Sequence, residues 1–140
     1  MIKKLLFLIF ILTLISCQSA PDKPLQHTWV IQNPEAGKMW QLSEDAIKKN
    51  EYFKADEYLT QAQKLSPKNP AILSRHAEVK LRIRKSILAE NLAMKSNSFA
   101  NNEKNIVYRN WSIIEHARTQ RGDIPGAKEA QLQIQKLMLK

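Results

Sequence analysis

Few side chains in this 140-residue chain are equipped for chemistry. Cys17 is the only cysteine, so its thiol can act as a nucleophile but cannot close a disulfide within the chain. The histidines, His27, His76 and His116, are dispersed, and no two stand at the spacing that puts a pair of metal ligands on one helix face. His76 and His116 are the one pair that folding could bring together. The plainer expectation is a partly buried His76 and an exposed His116. Glu44-Asp45 and Asp56-Glu57 are adjacent carboxylates, but neighbours on a helix point about 100° apart. They read as solvated charges rather than an acid/base pair. With three glycines in all, the chain has no Gly-rich phosphate loop. No catalytic set, metal or cofactor is expected, and the chain reads as a non-enzyme. Cys17 alone has a clear chemical use.

The residues before Cys17 say what that use is. Lys3 and Lys4 precede an apolar run from Leu5 to Ile15 that only Thr13 interrupts. A membrane-crossing helix needs about 20 apolar residues, so this run has the length of a signal-peptide core instead. Leu14-Ile15-Ser16-Cys17 resembles the lipobox of bacterial lipoproteins: an aliphatic residue, a tolerant position, a small residue, then cysteine. The resemblance implies that residues 1–16 are a signal peptide, cut before Cys17, and that Cys17 is the lipidation site. One acyl chain holds a protein only reversibly and stable anchoring takes two. The three chains of this family imply permanent attachment to a membrane. Gln18 stands where an Asp usually retains such proteins in the inner membrane. The expected location is therefore the outer membrane, facing the periplasm.

Removal of residues 1–16 leaves 124 residues, enough for one domain. Loss of Lys3 and Lys4 leaves 20 basic against 13 acidic side chains, a balance of +7. Export argues against a nucleic-acid partner. Anionic lipid headgroups, lipopolysaccharide and acidic proteins remain, and so does a merely solvated surface. Residues 17–33, with Pro21 and Pro24, have no periodic face to bury and read as a lipidated tether. Within it, Thr28-Trp29-Val30-Ile31 is a short apolar run suited to a membrane interface or to packing on the domain.

Elements that position the remaining residues begin at residue 34, and all of them read as helix. Asn33-Pro34 and Asn69-Pro70 each place a capping side chain before a proline at the first helical position, and Asp123 with Pro125 is a looser version. No stretch alternates as a strand does. Tyr52, Ala55, Leu59 and Ala62 share one helix face, and small residues there let two helices approach closely. Pro67 ends that helix.

Met39, Leu42, Ser43 and Ala46, followed by Ala55, Leu59, Ala62 and Pro67, stand at the spacings of a tetratricopeptide repeat, and residues 34–69 resemble one. Leu73, Ala77, Ala89 and Ala93 continue the pattern in residues 70–104. His76 replaces the usual Leu there, Lys80 the usual aromatic residue, and no Gly marks the turn near Arg84-Lys85-Ser86. One continuous helix over residues 71–98 is therefore equally open. Gly122-Asp123 with Ala127, preceded by Trp111 and Ile114, marks a degenerate third repeat in residues 105–140. A step of 38 residues between the second and third repeats implies a longer connection around residues 97–103. The expected fold is all-α, a tetratricopeptide-like α-solenoid of about three antiparallel helix pairs. Its last helix carries Ala127, Ala130, Ile134 and Leu137 on one face, and Leu132, Met138 and Leu139 add apolar surface elsewhere.

The resemblance also implies a concave groove, lined by the first helix of each repeat, that holds a partner's peptide or helix. Its positions fall on Trp40, Glu44 and Lys48 in the first repeat and on Ser74, Glu78 and Arg82 in the second. The third repeat contributes Arg109, Ser112, His116 and Gln120. Arg75, Lys80, Arg82, Arg84 and Lys85, opposed only by Glu78, form the densest basic stretch, which an acidic partner segment would suit. The expected function is a membrane-anchored periplasmic adaptor or scaffold. Its partner would be an envelope protein of the outer-membrane, pilus/secretin or peptidoglycan-processing machinery. The alternative is a structural or regulatory lipoprotein that forms a homodimer through its last helix.

Overall fold

The computed structural model describes residues 32–139. The expected signal peptide and the expected tether as far as residue 31, with Cys17 and His27, lie outside the described residues. The described residues form six α-helices: α1 (Pro34–Lys48), α2 (Tyr52–Leu65), α3 (Pro70–Arg82), α4 (Ser86–Phe99), α5 (Lys104–Gln120) and α6 (Ile124–Met138). They pack as three antiparallel pairs, α1/α2, α3/α4 and α5/α6, stacked through α2 against α3 and α4 against α5. The fold is the tetratricopeptide-like stack of three helix pairs, with no strand among the described residues.

The expected caps are in place. Asn33 Oδ1 accepts from the backbone N–H groups of Glu35 and Ala36, and Asn69 Oδ1 from those of Ala71 and Ile72. Asp123 Oδ1 accepts from the Gly126 N–H, opening α6. Such side chains satisfy N–H groups that the first turn leaves without partners.

The three turns within pairs share one device. Asn50, Arg84 and Gly122 each take a left-handed conformation, with φ of 59°, 64° and 76°. The next residue's N–H returns to the carbonyl five positions back: Glu51 to Ala46, Lys85 to Lys80 and Asp123 to Arg118. This is the Schellman closure of a helix C-terminus, which favours Gly and tolerates Asn. Residues 71–98 are thus two helices, not one, and the break comes at Arg84. The longer connection before the third pair lies at Ala100–Glu103, where Asn101 and Asn102 also have positive φ.

Small residues bring the pairs together. Ala55, Leu59 and Ala62 of α2, Leu73 and Ala77 of α3, Ala89 and Ala93 of α4, and Ala130 of α6 are fully buried. In α1 the buried residues are Ala36, Trp40, Ser43 and Ala46. Ser43 and Ala46 are inside as the spacing expects, but Ala36 and Trp40 complete the face, and Met39 and Leu42 are half-buried. A polar thread also runs through the core. Asn110 Nδ2 on α5 donates to Ser96 Oγ on α4 at 2.8 Å, and Ser96 Oγ donates to the Pro70 carbonyl at the start of α3 at 2.7 Å.

Candidate partner-binding groove

The central helix α3 sits between two faces with different chemistry. Toward α2 it presents His76 and Lys80, the two residues that replace Leu and an aromatic residue in the repeat pattern. His76 is 4% exposed. Its Nε2 donates to Asp56 Oδ1 at 2.9 Å, and the Gln63 amide lies 2.7 Å from Nδ1. Lys80 Nζ donates to Asp56 Oδ2 at 2.8 Å. Burial lowers the His76 pKa, and the nearby Lys80 charge adds to that, while Asp56 opposes it. Burial works against the Asp56 carboxylate, but hydrogen bonds from Lys80 and His76 outweigh it and hold its pKa below the usual carboxylate range. Asp56 is therefore not the solvated charge that adjacency to Glu57 suggests. It satisfies two cations or donors at a joint between repeats, a structural rather than catalytic use.

Toward α1 and α5 lies a second ion ladder. Arg75 on α3 grips Glu44 of α1 with two bonds of 2.7 Å and donates to Glu78 at 2.8 Å. Arg109 of α5 stands 3.7 Å from Glu78. Desolvation opposes the Arg75 charge, but Glu78 and Glu44 overcome it and raise its pKa. The paired Arg75 and Glu44 side chains are only 14% and 18% exposed, so this ladder joins the first helices of all three pairs with little screening.

Between α3 and α5 the same face opens into a cavity of about 710 Å³. Glu78 and Arg82 of α3 line it, with Arg109, Ser112, His116 and Gln120 of α5. Those six, of the ten residues expected to line a groove, line this cavity. Four others do not line it. Trp40 is 4% exposed and packs in the core around Ala36, Ala55 and Leu59. Ser74 is fully buried, and its hydroxyl makes no hydrogen bond among the described residues. Glu44 is spent on Arg75, and Lys48 lies exposed near the end of α1, 3.5 Å from Asp45. The groove is thus built by the second and third pairs alone. Spacing missed Arg75, Leu81 and Arg84 on one wall and Asn105, Tyr108 and Ile113 on the other. The basic stretch is also divided: Arg75 and Lys80 are ion-paired on opposite faces of α3, and Arg82 and Arg84 remain at the groove.

His116 is exposed, and its Nδ1 donates to the Ser112 carbonyl at 2.7 Å. His76 belongs to the joint with α2 and not to the groove. No group of three His, Cys, Asp or Glu side chains placed to hold a metal lies among the described residues.

The chain is similar to the globular C-terminal domain of LpoP from P. aeruginosa. The likeness covers 74% of this chain and 95% of that domain, at 28% identity and a TM-score of 0.67. No protein-family model and no curated protein matches the chain.

Proposed function

We propose that this protein is an envelope lipoprotein that docks a protein partner in the groove between α3 and α5 and has no activity of its own. Of the three machineries to which its sequence pattern points, peptidoglycan synthesis is the one favoured by the likeness to the LpoP domain. The single observation that carries the docking role is the groove itself: a cavity of about 710 Å³, open to solvent, whose lining offers arginines, Tyr108 and Leu81 but no catalytic set. The anchor in this reading is Cys17, lipidated after removal of residues 1–16. A tether of residues 17–33 then carries the helical domain into the periplasm from the outer membrane.

A photo-crosslinking side chain at Ser112, in the groove, tests the partner reading in living cells. A crosslink to one envelope protein of the peptidoglycan-synthesis machinery is expected. The absence of a crosslink from Ser112, with one appearing from Leu132, would move the working face to α6. That alternative, a homodimer, draws on the exposure of Leu132 (54%), Met138 (64%) and Leu139 (88%). For the anchor, incorporation of a labelled fatty acid should vanish in Cys17→Ser. Label retained by that variant would end the lipoprotein reading.

A further inference from the structure

We infer that the groove between α3 and α5 takes an acidic peptide segment, with its carboxylates on Arg82 and Arg84. This rests on the docking role proposed above and specifies the chemistry of the partner.

Charge separation along the groove is the first argument. At one end, Arg75 and Arg109 are met by Glu44 and Glu78, so guanidinium and carboxylate balance there. At the other end, no ion pair among the described residues holds Arg82 or Arg84, and both are exposed at the groove wall. The Arg82 guanidinium lies 5.9 Å from the centre of the Tyr52 ring, a cation–π approach that narrows its freedom before any ligand arrives. Two positive groups, one of them pre-positioned, therefore await anions.

The second argument is the backbone at Arg84. The three equivalent turn positions hold Asn50, Arg84 and Gly122, all left-handed. Gly and Asn enter that region readily, and a long side chain does so at a cost in stability. Arg84 thus occupies a site where its own backbone disfavours it, and it lines the groove. Local strain retained beside a binding surface points to a role for the side chain.

Dimensions set the length of the ligand. From Asn105 to Gln120 the groove wall follows α5 for about 22 Å, at about 1.5 Å per residue. An extended chain advances about 3.3 Å per residue, so a segment of about seven residues is long enough to span the groove. Leu81 and Ile113 supply an apolar floor for apolar side chains of such a segment.

The test is fluorescence anisotropy of an amidated, dye-labelled heptapeptide bearing three Glu and two Leu, titrated with the full chain in detergent. It is expected to bind, and the same peptide with Gln for Glu should bind about tenfold or more weaker, as loss of charged hydrogen bonds implies. Arg84→Asn and Arg82→Gln should each weaken the Glu peptide by a similar factor. Arg84→Asn should do so with a melting temperature at or above that of the parent, because Asn suits the left-handed turn. Raising salt from about 0.1 M to about 1 M should also weaken binding, as the Debye length shrinks from about 10 Å to about 3 Å. Equal affinity for the Gln peptide, or unchanged affinity in both variants, would overturn the inference. Displacement of the peptide by anionic phospholipid vesicles and not by unlabelled peptide would overturn it in favour of a lipid headgroup. If the Ser112 crosslink to an envelope partner persists while the Glu peptide fails to bind, the docking role stands and the acidic ligand falls.

Discussion

Replacing Trp40 by Ala separates the two roles that spacing and structure give this residue. If Trp40 lined a groove, its removal would weaken partner binding and leave folding alone. In the structure it is 4% exposed and surrounded by Ala36, Ala55, Leu59 and their neighbours. Truncation of a buried Trp costs about 3–5 kcal/mol, part transfer and part residual cavity. The small residues around it have no side chain with which to refill the space, so the upper half of that range applies. Near a size of about 100 residues, 1 kcal/mol moves the melting midpoint by about 4–8 °C. The expected fall is therefore at least about 16 °C, from a domain whose whole stability is about 5–15 kcal/mol. Urea and thermal unfolding followed by circular dichroism measure it, with Arg82→Gln as the comparison. That exposed substitution should stay within about 0.5 kcal/mol of the parent. Trp40→Ala melting within about 3 °C of the parent would place the indole outside the core and refute the packing argument.

Stability should also fall with acid in two windows. The His76 pKa is depressed below its ordinary 6.5 by burial, so the unfolded chain takes up a proton first, and stability present above pH 6.5 declines as the pH falls below it. His76→Gln should flatten that part of a melting-temperature profile. Burial works against the Glu90 carboxylate of α4, but hydrogen bonds from Arg118 of α5 and from Arg121 just past its end outweigh it. Asp56 and Glu90 thus have folded pKa values below their ordinary 3.8 and 4.5, so their contribution is full above those values and is lost as the pH falls through the folded ones. Differential scanning calorimetry from neutral pH to pH 3 resolves both windows, and a flat profile would count against the ion-paired joints. Gly126→Ala should cost about 1–2 kcal/mol in urea unfolding, because a Cβ there would meet the Asp123 carboxylate at 2.1 Å and dislodge the cap of α6. Asn110→Ala should cost about 2–3 kcal/mol by the same measurement, through loss of its bonds to Ser96 and Asn97.

The helices, their caps and the small-residue faces were legible because they depend on neighbours in sequence. Asn33, Asn69 and Asp123 cap what they precede, and Ala55, Leu59 and Ala62 recur at helical spacing whatever else the chain does. The groove was half legible. Glu78, Arg82 and the α5 residues lie where the repeat puts them, because α3 and α5 are packed side by side. In α1, Ser43 and Ala46 are buried as expected, but Trp40 joins them in place of Met39 and Leu42. At about 100° per residue, positions three apart lie about 60° apart around the axis, so Trp40 shares the face of Ser43 and its indole enters the core. Partners of the buried charges were not legible at all, since Glu44 meets Arg75 across 31 residues and Asp56 meets Lys80 across 24.

Arg84 shows why the failures of local reasoning carry functional information. Helix continuity past residue 82 was left open by the sequence because the turn lacked its glycine. The structure closes the helix there all the same, with Arg84 at φ 64° and the Lys85 N–H returned to the Lys80 carbonyl. The equivalent positions carry Asn50 and Gly122, which local preference explains; Arg84 it does not. A residue that its backbone disfavours, yet whose charge is left without an ion pair in the wall of a cavity, is the kind of local conflict that marks a working surface. Substitution to Asn reverses the conflict: the turn is relieved and the charge is gone. A gain or no change in melting temperature, together with a loss in affinity for the acidic peptide, is therefore the pattern that a side chain kept for binding must give. A loss in both would mean that Arg84 is held there by packing.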